Sequence, residues 1–245
     1  NRWRWLDESD SATAIKLVNW VRGKEISGLR NRTVDYDGDG SALTSSGQPE
    51  VMRLGDIVSS SPISIGPPVE GFDRLSQDES YRAFRAQYKN RRQVVYVGAN
   101  DGMIHAFNAG FFDNSNQQFR LHSVSLDEDG EVVNGSEVQH PLGAELWAYV
   151  PKNLLPHLQW GARTDYTHVF TMDQTPRIFD AKIFADDDDH PGGWGTVLVQ
   201  GMRLGGGTDG TKISIDVNAN GSIATNGAES MKSAYVVMDI TNPEV

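Results

Sequence analysis

The chain has 245 residues, 38% of them hydrophobic and 22% charged, with a formal net charge of −11. That length buries a substantial core, and the composition is that of an ordinary folded protein rather than a disordered one. The acidic balance argues against a nucleic-acid partner, which needs clustered Lys and Arg, and no apolar run approaches the ~20 residues of a membrane span.

Cysteine is absent, which removes disulfides, zinc–thiolate sites and Cys nucleophiles together. An exported bacterial protein and a cytosolic one both fit that count. The sequence opens on Asn1 without a secretory apolar core and reads as a piece of a longer protein.

Residues 1–10 are rich in Trp and Arg and then acidic, and read as a lead-in segment. A helix follows, capped by Asp10 or Ser11, with Ala14, Leu17, Val18 and Val21 as its apolar stripe. Gly23 stands where a left-handed C-terminal residue belongs.

Asp35, Asp37 and Asp39, with Gly38 and Gly40, match the first half of a calcium loop. Carboxylates at alternate positions converge on a hard cation, and Ser41 occupies the loop's seventh position. The twelfth position is Ser46 rather than Glu, so Glu50 or Asp56 has to supply the further carboxylate, in a loop of different shape. The competing reading is a surface Asx turn, which Asp and Gly also favour. Three carboxylates so close repel one another unless neutralised. The candidate ligand set is Asp35, Asp37, Asp39, Ser41 and Glu50, with calcium as the cofactor.

Residues 52–66 read as a strand entering a sheet, with Pro62 suited to an edge. Ser76 and Glu79 have capping-box spacing ahead of a short helix carrying Tyr81, Phe84 and Tyr88 on one face. The clearest strand–turn–strand is residues 94–108, where two nearly unbroken apolar runs flank Gly98, Asn100, Asp101 and Gly102. Asp-Gly there predicts a tight primed hairpin turn. The lack of alternation predicts a hairpin covered on both faces, as in the blades of a β-propeller. His105, inside the hairpin, reads as a hydrogen-bonded blade residue.

Residues 110–138 are polar and read as an exposed loop with room for a small hairpin. Residues 145–150 read as the outer strand of the same blade, and Pro151 suits the first turn of a short helix. A second unit starts near Thr175. Its acidic turn Asp186, Asp187, Asp188, Asp189 is a second, weaker metal candidate set against a solvated turn. Strands over 195–201 and 233–241 flank a Gly/Asn-rich stretch. The two units repeat the order strand, Gly-bearing turn, strand, which predicts about two blades of an incomplete, mainly β propeller over residues 11–245.

The ordered segments LVNWVRG, DYDGDG, RLGDIVSSSPISIG, YRAF, VVYVGANDGMIHAFNAG, WAYVPKNLL, GGWGTVLVQG and AYVVMDITNP resemble the C-terminal propeller of the type IV pilus tip-associated adhesins, the PilY/PilC group. The resemblance runs from about residue 12 to residue 243. It departs at the Gly-rich segment, where Met202, Arg203 and Leu204 intervene and residues 208–232 are inserted. It implies a secreted, non-enzymatic adhesin at the pilus tip of a Gram-negative bacterium, exported through the periplasm. Such a protein docks to minor pilins, primes pilus assembly and adheres to host or abiotic surfaces. The resemblance does not carry calcium to residues 35–39, which rest on their own chemistry.

The competing function is a quinone-dependent dehydrogenase, whose vicinal Cys pair this chain cannot supply. A third is a generic calcium-stabilised extracellular scaffold. Signatures of nucleophilic, zinc and phosphoryl chemistry are missing. In the adhesin reading, recognition falls to the loops 110–138, 186–193 and 208–232.

Overall fold

The computed structural model describes residues 2–8, 10–113, 116–126, 132–137, 140–207, 213–216 and 228–243. After a 3₁₀ turn at Arg2–Leu6, helix α1 spans Ser11–Val21. Asp10 caps it, its Oδ1 accepting from Ala12 N at 2.8 Å and Thr13 N at 2.9 Å. Gly23, at φ +87°, ends it in a Schellman arrangement: Gly23 N donates to Trp20 O and Lys24 N to Asn19 O. The buried stripe is Ala14, Leu17 and Trp20, and Val18 lies on the exposed side. This stripe packs on Leu158 and Ala162 of a short helix at Leu158–Ala162 (numbered α4 below).

The first sheet is built around strands β1 (Ile63–Ile65), β2 (Gln93–Gly98) and β3 (Ile104–Asp113), all antiparallel. Between β1 and β2 stand helices α2 (Phe72–Leu75) and α3 (Glu79–Gln87). Strand β4 (Gln118–Arg120) pairs with the far end of β3, β5 (His122–Leu126) pairs with β6 (Val132–Glu137), and β7 (Glu145–Tyr149) pairs with the near end of β3. The four-strand order β1-β2-β3-β7 puts β7 at the edge, as the sequence predicts for the outer strand of a blade.

Both faces of the β2–β3 hairpin are covered. Val94, Tyr96, Ile104 and Ala106 enter the main core, while Val97 and His105 are buried on the opposite side. The turn differs from the primed form. Gly102 N donates to Ala99 O at 3.3 Å and Ala99 N to Met103 O at 3.0 Å, and of the turn residues Gly102 has positive φ, +92°. This is a three-residue loop ending in a left-handed glycine bulge, so Asn100 and Asp101 keep ordinary φ and their side chains are free to bind elsewhere.

Three other local expectations shift. Of residues 52–66, Ile63–Ile65 is strand, because Asp56 and Ser59 give their backbone groups to Asn100 and Asp173. The cap of α3 is Asp78, whose Oδ1 accepts from Tyr81 N, since Ser76 already closes α2. The polar stretch from Gly110 is not loop at its start, for β3 continues to Asp113. The loop tip at 127–131 and most of 208–227 lie outside the described residues.

A 3₁₀ turn at Lys152–His157 runs into α4. The second sheet then has the order β12-β9-β8, from β8 (Arg177–Lys182), β9 (Trp194–Gly201) and β12 (Tyr235–Asp239). A separate hairpin joins β10 (Ile213–Asp216) and β11 (Ala228–Met231).

The two sheets pack against each other like neighbouring blades and do not close into a ring. Leu198 of the second, and Met202 just after its β9, share a core cluster with Val94, Tyr96, Ile104 and Ala106 of the first and with Leu154 and Met172. Gly98 marks the closest approach: a Cβ there would sit 2.4 Å from Met172 O and 2.7 Å from Gln200 Nε2. A second cluster joins Tyr81, Phe84 and Tyr88 of α3 to Trp194, whose ring stacks on Phe72 at 5.0 Å.

A buried polar chain locks these parts together. Arg91 donates to Gly66 O, to Thr241 O and to Thr196 Oγ1 at 2.7 Å. Thr196 Oγ1 in turn donates to Asp180 Oδ1, and Tyr81 Oη to Asp180 Oδ2, both at 2.7 Å. Burial holds the Arg91 charge below its usual stability and pushes the Tyr81 phenol up, so the network works with ionised Arg91 and neutral Tyr81. On its other face the second sheet leaves Phe179, Tyr235 and Val237 exposed.

Candidate metal site

The acidic loop is the tip of an irregular antiparallel ladder. Residues 32–34 run beside 50–52: Met52 N donates to Arg32 O and Val34 N to Glu50 O, each at 2.9 Å. Higher up, Glu50 N donates to Ala42 O at 2.9 Å and Thr44 N to Gln48 O at 2.8 Å. Glu50 therefore stands at the junction where the loop leaves and rejoins the ladder.

The Asp residues shape the loop by binding its own amides. Asp35 Oδ1 accepts from Gly38 N at 2.7 Å and Oδ2 from Gly40 N at 3.0 Å. Asp37 Oδ1 accepts from Asp39 N at 3.1 Å. Glu50 Oε2 accepts from Tyr36 N at 2.7 Å, which draws the distant carboxylate over the loop. Gly38 and Gly40 hold φ of +74° and +85°, the sharp bends the motif predicts.

Asp35, Asp37 and Glu50 each present one oxygen, all within 4.8 Å of one another. Oxygens at about 2.4 Å from a calcium ion lie at most about 4.8 Å apart, so the three oxygens fit one such ion. Each pair of charges at that separation repels by about 1 kcal/mol in water, which a cation would reverse. Of the two carboxylates the sequence offered for the missing position, Glu50 is the one that lies with Asp35 and Asp37. Asp56 instead accepts from Asn100 Nδ2 and faces His168. Asp39 is not among the clustered carboxylates: its Oδ1 accepts from Ser41 N, and Ser41 Oγ accepts from Leu43 N.

The run at Asp186–Asp189 forms a different structure. Asp186 accepts from Gly192 N, and Asp187 Oδ1 from His190 N and His190 Nδ1, both at 2.8 Å for the latter pair. The carbonyls of Asp188 and Asp189 accept from Gln87 and Tyr88, so the turn is fastened to the end of α3. His190 Nε2 also meets Asp239 Oδ2 at 2.8 Å. Burial alone would lower the His190 pKa, but the two carboxylates outweigh it and raise it.

The hairpin residues form a hub. Asn100 N donates to Asp56 O, and Asn100 Oδ1 accepts from Thr171 N at 3.0 Å. Asp101 accepts from Gly55 N at 2.8 Å, from Met103 N and from His105 Nε2. His105, almost wholly buried, reaches Glu145 Oε1 of β7 with Nδ1 at 2.6 Å. It is a hydrogen-bonded blade residue, as its place in the strand predicts. Sequence reasoning did not single out Arg91, because a charged pair before an apolar strand has no local signature of its partners.

The sequence profile of the PilY1 beta-propeller domain matches residues 54–228. The chain is 31% identical over 202 residues to a type IV pilus biogenesis factor PilY1 homolog of Xylella fastidiosa, covering 80% of this chain and 12% of that protein. A second Xylella fastidiosa homolog is 27% identical over 210 residues, covering 82% and 11%. The type IV pilus biogenesis factor PilY1 of Pseudomonas aeruginosa PAO1 is 30% identical over 160 residues, covering 62% and 10%. The chain thus spans about a tenth of the length of these curated relatives. No solved structure matches it significantly. The profile takes in the hairpin hub, the first sheet and strands β8 and β9, whereas the acidic loop precedes the matched range and β12 follows it. By sequence profile and by relatives, and in keeping with its open, blade-like sheets, this chain belongs to the PilY1 β-propeller family.

Proposed function

We propose that this chain is a propeller stretch of a type IV pilus biogenesis factor, carried outside the cell at the pilus. Family membership, together with the names its relatives carry, supports the reading. The blades act as a rigid, non-enzymatic scaffold, and the loops they display dock to minor pilins and adhere to host or abiotic surfaces. No helix among the described residues is long and apolar enough to cross a membrane. The test is genetic, in the full-length protein. Gly98→Asp, which breaks the contact between the blades, should lower surface pili, twitching and surface attachment several-fold with the transcript unchanged. Normal piliation from a protein whose blade has been shown to unfold would overturn the assignment.

Calcium is part of this proposal, at Asp35, Asp37 and Glu50 and not at the Asp186–Asp189 turn. The convergence of three carboxylate oxygens supports it. A quinone-dependent dehydrogenase would require a vicinal Cys pair that this sequence lacks; alcohol turnover with pyrroloquinoline quinone would reinstate that reading.

A further inference from the structure

A cavity of about 380 Å³ opens between the neck of the acidic loop, α1, α4 and the hairpin hub. Its walls are mostly apolar and aromatic, with Trp20, Trp160 and Tyr166 among them. Two arginines are folded into these walls. The Arg30 guanidinium lies over the Tyr166 ring at 4.1 Å and the Trp20 ring at 5.6 Å, and that of Arg32 over Trp20 at 3.6 Å.

Both arginines are held by their surroundings and yet are under-used as donors. Arg32 reaches Trp20 O with one terminal nitrogen, and Trp20 Nε1 donates to Arg30 O at 2.7 Å. The Nε atoms of Arg30 and Arg32 are buried and have no hydrogen-bond partner. Those two atoms are turned away from the open cavity, and the Arg30 guanidinium makes no hydrogen bond among the described residues, so its terminal nitrogens are left to an acceptor in the cavity. Burial also weakens the Arg32 charge, and the nearby Glu25 and Asp101 charges offset that only in part.

The cavity's own carboxylates do not meet that need. Asp101 is engaged by Gly55 N, Met103 N and His105, and Asp56 Oδ2 by Asn100 and His168. Among the described residues neither Arg30 nor Arg32 has an ion pair. His157, buried in the same wall, is pushed down to about 4 by desolvation and stays neutral, so it offers a polar ring without a competing charge.

We propose that this cavity binds a small aromatic carboxylate, its ring among Trp20, Trp160 and Tyr166 and its carboxylate on the Arg30 and Arg32 guanidinium edges. A planar ring fits walls already made of ring faces, and a carboxylate supplies an acceptor for terminal guanidinium nitrogens. The volume admits a one- or two-ring molecule and excludes a folded partner. This proposal rests neither on calcium at the acidic loop nor on any role at the pilus.

The test is titration of the 245-residue chain with indole-3-acetate and benzoate, each paired with its methyl ester, followed by calorimetry and by Trp fluorescence. At least one acid should bind, with its ester about tenfold weaker or more. Arg30→Gln should weaken the acid by a similar factor while leaving the chain folded, since that guanidinium makes ring contacts and no hydrogen bond among the described residues. If Arg30→Gln melts early, Tyr166→Leu removes the ring beneath Arg30 and carries the same expectation. Esters that bind as well as acids, or no binding by either acid at its solubility limit, would overturn the site.

Discussion

Gly55 and Asp101, far apart in sequence, are joined by a 2.8 Å bond from the Gly55 amide to the Asp101 carboxylate. The same carboxylate closes the β2–β3 turn through Met103 N and meets His105. Asp101 is thus the point where the connector before β1, the hairpin turn and the hairpin's buried histidine converge. Asp101→Ala should destabilise the chain by about 2–4 kcal/mol, from lost bonds and unpaired buried donors. Chemical denaturation measures it; a loss below about 0.5 kcal/mol, the size of an ordinary surface change, would refute the hub.

His105 makes that hub sensitive to pH. Burial would lower its pKa, but hydrogen bonds and charges from Asp101 and Glu145 outweigh burial and raise it. A raised histidine stabilises fully below its unfolded value of about 6.5 and loses that contribution as pH rises through the folded value. The stability gap between the parent chain and His105→Gln should therefore shrink as pH rises above neutral. A gap that stays constant across that range would show that His105 acts without its charge.

His157 has the opposite sign. Desolvation pushes it down to about 4, so the folded state prefers it neutral. Its contribution is present above about pH 6.5 and is lost as pH falls toward the folded value. His157→Leu should flatten the acid side of the stability profile, read as melting temperature between about pH 4 and 7. An unchanged acid limb would count against burial as the cause.

Tyr81 and Asp180 carry the link between α3 and the second sheet. Tyr81→Phe removes the 2.7 Å bond to Asp180 Oδ2 and leaves a buried carboxylate oxygen unpaired, at a cost of about 1–3 kcal/mol. Thr196→Val should be at least as costly, because Thr196 Oγ1 both accepts from Arg91 and donates to Asp180. A double-mutant cycle that shows full additivity would mean the chain is not a network.

Calcium added to the metal-free chain should raise the melting temperature, and Glu50→Gln should reduce that rise with Asp37→Ala. Asp39→Ala should reduce it less, since Asp39 turns toward Ser41 N rather than toward the cluster. A rise that survives all three changes would move the ion elsewhere.

What the sequence made legible was local. Asp10 and Gly23 bracket α1 through bonds spanning a few residues, and the apolar runs around Asn100 to Gly102 define their hairpin unaided. The acidic loop was half legible: Asp35 and Asp37 share a motif, but the approach of Glu50, rather than Asp56, to them depends on a ladder that sequence spacing does not specify. Arg91 was opaque, because Thr196 lies 105 residues later and Thr241 150 residues later. Ser76 and Asp78 are both good caps, and the presence of α2 decided between them.

The exposed side of the second sheet follows from the pleat. Strand side chains alternate, so β12 sends Val236 and Met238 into the shared core and turns Tyr235 and Val237 outward. A slip of one residue against β9 would retire the outward pair only by ejecting the inward one. The apolar surface is therefore not a defect that small adjustments could repair. Polar substitution at Tyr235 and Val237 alone would change that surface while leaving the pairing register and the core side chains of β12 in place.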